Sequence, residues 1–156
     1  MKVIFLDVDG VLNFNTTEAI APNGCMGIAD SCVKKLKHIV DETHAFIVLV
    51  SSWKQEWNMD FERCLPNGKY LVKKLDRRGL HIMDKTDDHI DDRGKGIYEW
   101  LKRHPNVTDW VVLDDEVFDD YKDYIPQDNR VITNYILGLT DSDAEQAIEI
   151  LNKGDN

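Results

Sequence analysis

Two aspartates, separated by one residue, stand directly behind a short apolar run near the start of the chain. Residues 3–6 read Val-Ile-Phe-Leu, and Asp7, Val8, Asp9 and Gly10 follow at once. Paired carboxylates can divide a reaction between them, since one attacks or binds a cation while the other transfers protons. Glycine adopts backbone dihedrals that other residues avoid. This segment is therefore the first candidate for a reactive site.

Two further apolar runs end on side chains that carry oxygen. Ser51 closes the run 45–50, and the pair Asp114 and Asp115 closes the run 110–113. A single Asp or Ser after a strand more often bonds to the backbone of a turn. In parallel α/β sheets, however, ligands bind outside the carboxyl ends of the strands. Together these side chains predict an oxygen-rich pocket suited to Mg²⁺ and a phosphate.

The elements that would position these residues follow from the apolar pattern. Short buried runs alternate with segments of helical spacing, which favours an α/β fold with a parallel sheet and helices on both faces. Between residues 53 and 78 the pattern allows one or two helices, broken around residues 66–68. The predicted strands span residues 2–7, 45–50, 80–83, 109–113 and 130–133, and the other predicted helices span residues 30–43, 96–103 and 140–151.

Composition narrows the class of protein. The 156 residues, 42% hydrophobic and 31% charged, match one globular domain over residues 1–156. No apolar run approaches the ~20 residues of a membrane span, and three cysteines without paired spacing favour reduced thiols, so we expect a cytoplasmic protein without a membrane partner. A net charge of −10 disfavours a large nucleic-acid footprint, although a local basic patch could hold one strand end.

The motifs also resemble those of a known group of enzymes. The segment 7–11, Asp-Val-Asp-Gly-Val, closely resembles the first motif of the haloacid dehalogenase-like (HAD) superfamily of phosphohydrolases. Ser51 matches the second motif, and Asp114 with Asp115 matches the fourth, in the right order along nearly the whole chain. Further likeness to the small HAD domains of multi-domain RNA-repair proteins lies at residues 51–53, 96–101 and 138–140.

The third motif of that superfamily is a basic residue at the start of a helix. The segment 93–97, Arg-Gly-Lys-Gly-Ile, offers two such residues, and Lys95 is the preferred match with Arg93 as the alternative. Either one could instead be a solvated surface charge, since the start of a helix does not favour a cation unless an anion lies nearby.

The resemblance implies a role for each matched residue. Asp7 would attack phosphorus and form an aspartyl-phosphate, and Asp9 would serve as the general acid and then the general base. Ser51 would donate a hydrogen bond to a phosphoryl oxygen, and Lys95 would neutralise the phosphoryl group and the nucleophile. The fold implied is a three-layer, Rossmann-like sheet.

The resemblance also implies a magnesium ion. Its ligands would be the Asp7 carboxylate, the backbone carbonyl of Asp9 and the Asp114 carboxylate, with Asp115 in direct or water-mediated support. Such an ion would lower the repulsion between a phosphate monoester and an attacking carboxylate.

The substrate stays open at this level. The loop 11–28 is too short for a full helical cap, so we expect an open site with a minimal cap or none, suited to a phosphorylated nucleic-acid end or a protein. The charge of −10 points instead to a small or protein-borne phosphate, so a nucleotide or another phosphoester remains open. The alternatives are a non-catalytic HAD-fold binding module and a phosphotransferase to an acceptor other than water; the sequence predicts no oligomeric state.

Two weaker features complete the sequence pattern. Trp53 and Trp57 follow Ser51 and are interpreted as packing residues, with stacking on a base or sugar as the alternative. The acidic stretch from Asp84 to Asp92 is interpreted as a solvated loop.

Overall fold

A computed structural model of the chain describes residues 1–87 and 92–156. Its strands form a single five-stranded sheet in which every pairing between neighbours is parallel, as the apolar runs predict. The strands are β1 (Lys2–Leu6), β2 (Phe46–Leu49), β3 (Ile82–Lys85), β4 (Asp109–Asp114) and β5 (Arg130–Ile132). Their order across the sheet is β3-β2-β1-β4-β5, which places β1 at the centre.

Helices connect these strands. The α-helices are α1 (Asp30–Thr43), α2 (Pro66–Asp76), α3 (Arg93–Arg103), α4 (Tyr121–Tyr124) and α5 (Asp141–Leu151). Short 3₁₀ helices lie at Ser52–Gln55, Phe61–Arg63, Gln127–Asn129 and Lys153–Asp155. Over the two described ranges, no helix has the length and apolar character needed to cross a membrane.

Both faces of the sheet are covered, because successive side chains of a strand point to opposite sides. In β1, Ile4 and Leu6 join the core cluster that holds residues of α1, α2 and α5. Val3 and Phe5 join a second cluster with α3 and α4, where the Trp100 ring meets the Phe5 ring edge-on at a centroid distance of 5.4 Å. This arrangement confirms the predicted three-layer α/β fold.

Several predicted boundaries shift in the structure. For the last helix the sequence predicts a cap from Thr140 and Asp143. This is confirmed, since Thr140 Oγ1 accepts from the Asp143 N–H while the Asp143 carboxylate accepts from the Thr140 N–H. For α1 the sequence predicts Asp30 or Ser31 as the cap, and this is wrong, because the N-cap is Ala29 and no side chain caps the helix. Pro66 opens α2 at its first turn, where its missing N–H costs nothing, so residues 66–68 begin a helix instead of dividing two.

The edge of the sheet also differs from expectation. Strand β3 lies two residues later than predicted and takes Asp84 and Lys85 from the expected acidic loop, because an edge strand half open to solvent tolerates charged residues. Residues 88–91 of that expected loop lie outside the described residues. Helix α4, a single turn of four residues, was too short for apolar spacing to reveal.

The segment 11–28 follows the carboxyl end of β1 and forms no helix. Its middle is drawn together by an antiparallel bridge between Ile20 and Met26. Its ends are tied by a hydrogen bond from the Ala29 N–H to the Leu12 carbonyl, at 2.8 Å. We call residues 11–28 the flap. It is a small hairpin-like loop, in agreement with a minimal cap.

Candidate active site

Three carboxylates meet where the central strands end. Asp7 follows β1, while Asp114 ends β4 and Asp115 comes next. The sheet pairing continues past β1, because the Asp7 N–H donates to the Leu113 carbonyl at 3.0 Å. One carboxylate oxygen from each of Asp7, Asp114 and Asp115 lies within 4.8 Å of the others. Asp7 and Asp114 are buried, with 5% and 0% of their surface exposed, whereas Asp115 is half-buried.

The turn after Asp9 holds this cluster in place. Gly10 has a φ of 80°, and a Cβ added there would lie 2.3 Å from Asp115 Oδ2, so only glycine lets that carboxylate come so close. The Thr133 hydroxyl donates to the Gly10 carbonyl at 2.6 Å, and the Thr133 N–H donates to the Asp114 carbonyl at 2.8 Å. Thr133 therefore ties the turn to the end of β4.

A buried arginine lies between two of the carboxylates. Arg93 Nη1 is 2.8 Å from Asp114 Oδ2 and 3.3 Å from Asp7 Oδ1. The Tyr121 hydroxyl donates to the same Asp114 oxygen at 2.7 Å, and the guanidinium lies 4.2 Å from the centre of the Phe118 ring. Arg93 Nε is buried and has no hydrogen-bond partner among residues 1–87 and 92–156. The site thus holds its own cation.

The two candidates for the third motif, Lys95 and Arg93, lie in different surroundings. Lys95 is exposed, and its backbone N–H donates to the Asp120 carboxylate. Side chains two positions apart on an α-helix point about 200° apart, so Arg93 and Lys95 cannot both face the sheet. The structure places the alternative, Arg93, beside the carboxylates.

A distant carboxylate explains why α3 begins early enough to present Arg93. Asp120 accepts from the Gly94 N–H at 3.0 Å and from the Lys95 N–H at 2.9 Å, and so caps α3 from the segment before α4. A Cβ at Gly94 would lie 2.8 Å from Asp120 Oδ1, which shows how closely the two segments approach. The first turn of α3 is therefore set by tertiary contact.

Loss of the cap that Asp120 provides should lower the free energy of unfolding by a measurable amount. We expect Asp120→Ala to cost about 1 kcal/mol of unfolding free energy, as other lost N-caps do. For a chain of this length that corresponds to a fall of about 3 °C in the thermal midpoint, measured by circular dichroism. Asp119→Ala, which removes an exposed neighbouring carboxylate, is the matched control. Equal midpoints for the two variants would contradict the capping role.

The electrostatics of the cluster follow from burial. Burial, and next the Asp114 charge, raise the pKa of Asp7 well above its ordinary value, and Arg93 offsets only part of this. Burial likewise raises the pKa of Asp115. Burial alone would lower the pKa of Arg93, but Asp7 and Asp114 outweigh it and raise the pKa, so the guanidinium stays charged. Three carboxylates around one guanidinium leave an excess of negative charge.

The residues present fit a magnesium ion. Mg²⁺ prefers oxygen ligands, and the cluster offers oxygens from Asp7, Asp114 and Asp115 in a site whose crowded negative charge a divalent cation would relieve. The side chain of Asp9 does not belong to this cluster. The predicted contribution of Asp9 was its backbone carbonyl, and that contribution stays a prediction.

The Asp9 carboxylate is held apart from the cluster by two donors. Asn13 Nδ2 donates to Asp9 Oδ1 at 2.9 Å, and the Trp53 indole N–H donates to Asp9 Oδ2 at 3.1 Å. Asn13 is fully buried, and its side-chain oxygen accepts from the Gly10 N–H at 2.8 Å. Both oxygens of the exposed Asp9 carboxylate are therefore oriented by neighbours.

Ser51 lies at the end of β2, the strand next to β1. Its side chain is buried, and its oxygen accepts from the Trp53 N–H at 3.2 Å. Its hydroxyl hydrogen donates to no described residue, so it is available to a ligand oxygen at the strand ends. This leaves the predicted hydrogen bond to a phosphoryl oxygen feasible.

Sequence reasoning missed several residues that shape the site. Trp53 and Trp57 are both buried, as the packing interpretation requires, but the bond from Trp53 to Asp9 had no sequence signal. Lys54 is also buried, and its ammonium group donates to the Thr86 hydroxyl at 3.0 Å. The other missed residues are Asn13, Tyr121 and Thr133. Of these, Asn13 lies nearest in sequence to a predicted site residue, four positions after Asp9.

The parallel sheet and the ordered motifs at its carboxyl edge define a protein of the HAD-like superfamily of phosphohydrolases. Residues 3–144 match the profile of the family described as "HAD domain in Swiss Army Knife RNA repair proteins", and the chain belongs to this family. Comparison with curated proteins and with solved structures gave no match.

Proposed function

We propose that this protein is a magnesium-dependent phosphohydrolase that cleaves a phosphate monoester through an aspartyl-phosphate on Asp7. One observation carries the proposal: a buried Asp7 carboxylate shares the end of the central strand with Arg93 and with the acidic pair Asp114 and Asp115. Membership of a HAD family supports the same reaction class. When bound, Mg²⁺ supplies positive charge that lets an anionic phosphate approach a carboxylate.

In the first step an oxygen of Asp7 bonds to phosphorus while the bond from phosphorus to the leaving oxygen breaks. Arg93 is charged and lies 3.3 Å from Asp7 Oδ1, so it supplies positive charge where the transferred phosphoryl group would sit. Ser51 offers a hydroxyl hydrogen to a phosphoryl oxygen. In this proposal Arg93 takes the role first expected of Lys95.

Asp9 handles the protons of both steps. Its carboxyl group gives a proton to the leaving oxygen, and as a carboxylate it then takes a proton from the water that attacks the aspartyl-phosphate. That attack releases inorganic phosphate and restores Asp7. Asn13 and Trp53 orient the Asp9 carboxylate, which supports this role because proton transfer needs a defined geometry.

The substrate is the open part of the proposal. The flap forms no helical cap, which supports a phosphate on a large molecule, including a 3′-phosphorylated oligonucleotide. The test is phosphate release from aryl, sugar, nucleotide and 3′-phospho-oligonucleotide esters, each with Mg²⁺ or with EDTA. We expect turnover only with the metal. If no ester releases phosphate, the proposed function is overturned. If only aryl phosphate does, the oligonucleotide is excluded as the substrate.

Loss of the hydrogen bond from Trp53 to Asp9 should slow the hydrolysis of esters with poor leaving groups more than that of esters with good ones. An alkoxide is a poor leaving group and needs a proton from Asp9, whereas nitrophenolate leaves without one. We therefore expect Trp53→Phe to lower kcat for alkyl phosphates by about 10-fold more than for p-nitrophenyl phosphate. Trp57→Phe is the control, since Trp57 is similarly buried and makes no described bond to Asp9. An equal loss on both ester types would contradict the positioning role.

A further inference from the structure

A small pocket opens beside Asp9, between the flap, the 3₁₀ helix Ser52–Gln55 and the start of α2. It encloses about 190 Å³ and is lined by Asp9, Met26, Ser52, Trp53, Glu56 and Asn67, among others. Under the proposed function, on which this inference rests, Asp9 protonates the leaving oxygen. The pocket therefore borders the position of the leaving group. We propose that it is a leaving-group site for a neutral, hydroxyl-bearing group the size of one pentose.

The walls of this pocket are built into the fold. A Cβ at Gly68 would lie 1.9 Å from the Glu56 carbonyl oxygen, so glycine lets α2 press against the segment that carries Glu56. The Leu65 N–H donates to that same carbonyl at 2.9 Å. Asn67 Oδ1 accepts from the Asn23 N–H at 3.2 Å, which ties the flap to α2. The site is preformed, which lowers the entropy cost of binding.

Two polar groups on these walls have no partner among the described residues. Asn67 is 5% exposed, and its Nδ2 group makes no hydrogen bond to any described residue. The half-buried Glu56 carboxylate makes no hydrogen bond or ion pair with residues 1–87 or 92–156. A carboxylate accepts from hydroxyl groups, while a carboxamide N–H donates to hydroxyl oxygens. A ligand with several hydroxyls satisfies both residues.

Charge and size narrow the ligand further. Glu56 and Asp9 place two carboxylates on the pocket, so a second phosphate or a carboxylate inside the pocket is repelled. The volume corresponds to about six water molecules at ~30 Å³ each. It is smaller than the ~300 Å³ at which ordinary small-molecule pockets begin. One sugar ring fits these limits, and any further part of the substrate extends into solvent past the flap.

The kinetic test uses esters that differ by one hydroxyl group. We expect kcat/KM for ribose 5-phosphate to exceed that for 2-deoxyribose 5-phosphate by about 10-fold, the value of a hydrogen bond to a charged group. Glu56→Ala should bring this ratio close to one, and Glu56→Lys should raise the relative rate on 3-phosphoglycerate, whose leaving group is anionic. Glu42→Ala, at an exposed site on α1, should keep the wild-type ratio. Equal rates on the two sugars in wild type would overturn the proposal.

A binding test separates this inference from the proposed function. Methyl riboside, which carries no phosphate, is titrated into ¹⁵N-labelled metal-free protein while the Asn67 side-chain amide and the Trp53 indole signals are followed. We expect both signals to shift with methyl riboside, and to need about tenfold more methyl deoxyriboside for the same shift; the Trp53→Phe variant assigns the indole. Signal shifts without turnover of any ester would support the sugar-binding pocket and refute the proposed phosphohydrolase activity. Turnover without shifts or sugar discrimination would refute the site alone.

Discussion

Replacing Asp7 with asparagine is expected to lower metal-dependent phosphate release by about 10⁴-fold or more, because the substitution removes the attacking oxygen. Asparagine has nearly the same shape, so the surrounding strands should stay in place. The measurement is single-turnover and steady-state phosphate release from the best ester of the panel, with Mg²⁺ and with EDTA. Asp128→Asn, an exposed aspartate outside the site, serves as the control.

The same substitution should stabilise the metal-free protein. Burial and the neighbouring Asp114 raise the pKa of Asp7, so the folded state holds a proton that the unfolded state releases. The free energy of unfolding of wild type should therefore fall as pH rises from about 4 through the raised pKa of Asp7. A neutral carboxamide at this position never becomes charged, so it does not lower the free energy of unfolding as pH rises. We expect Asp7→Asn to gain about 1 kcal/mol over wild type at pH 8 and little at pH 4.

Thermal unfolding with and without magnesium checks both halves of this prediction. Mg²⁺ should raise the midpoint of wild type by mass action and should raise that of Asp7→Asn much less, since one ligand is lost. An inactive variant that is less stable than wild type without metal would show that the ion pair with Arg93 outweighs the burial of Asp7. Full activity in the Asp7→Asn variant would show that Asp7 is not the nucleophile.

The strands at the site could be predicted because both of their faces are buried. A parallel strand covered on two sides reads as an unbroken apolar run, and the residue that ends the run marks the carboxyl edge. Residues 3–6 and 110–113 show this pattern, so Asp7 and Asp114 could be located from sequence. The order of strands across the sheet then brought the two carboxylates together.

The cation of the site could not be chosen in this way. Local spacing placed the helix start at Gly96 and so favoured Lys95, whereas the Asp120 carboxylate, 26 residues after Gly94, extends α3 back to Arg93. Likewise, Trp53 reaches Asp9 across 44 residues. Contacts of this kind depend on how the segments pack, and no periodicity in the sequence records them.

Arg93 therefore makes the second prediction with a large effect. We expect Arg93→Lys to lower kcat/KM by about 10²-fold, because an ammonium group is a compact, strongly hydrated charge that cannot stack on the Phe118 ring as the planar guanidinium does. Arg93→Ala should cost about 10³-fold or more, in the range of other phosphate-stabilising arginines. Lys95→Ala should stay within about twofold of wild type, since its side chain is exposed.

Stability must be followed in the same variants, because breaking a buried ion pair by removing one partner costs about 3–5 kcal/mol. Arg93→Lys keeps the charge and so separates a catalytic loss from unfolding, and far-ultraviolet circular dichroism with Mg²⁺ reports whether each variant is folded. Two results together would contradict this prediction: a folded Arg93→Lys variant with near wild-type activity, and a Lys95→Ala variant without activity. They would show that Lys95 fills the third motif. They would also imply that α3 turns its exposed face to the substrate, which the buried contacts of Arg93 with Asp7 and Asp114 oppose.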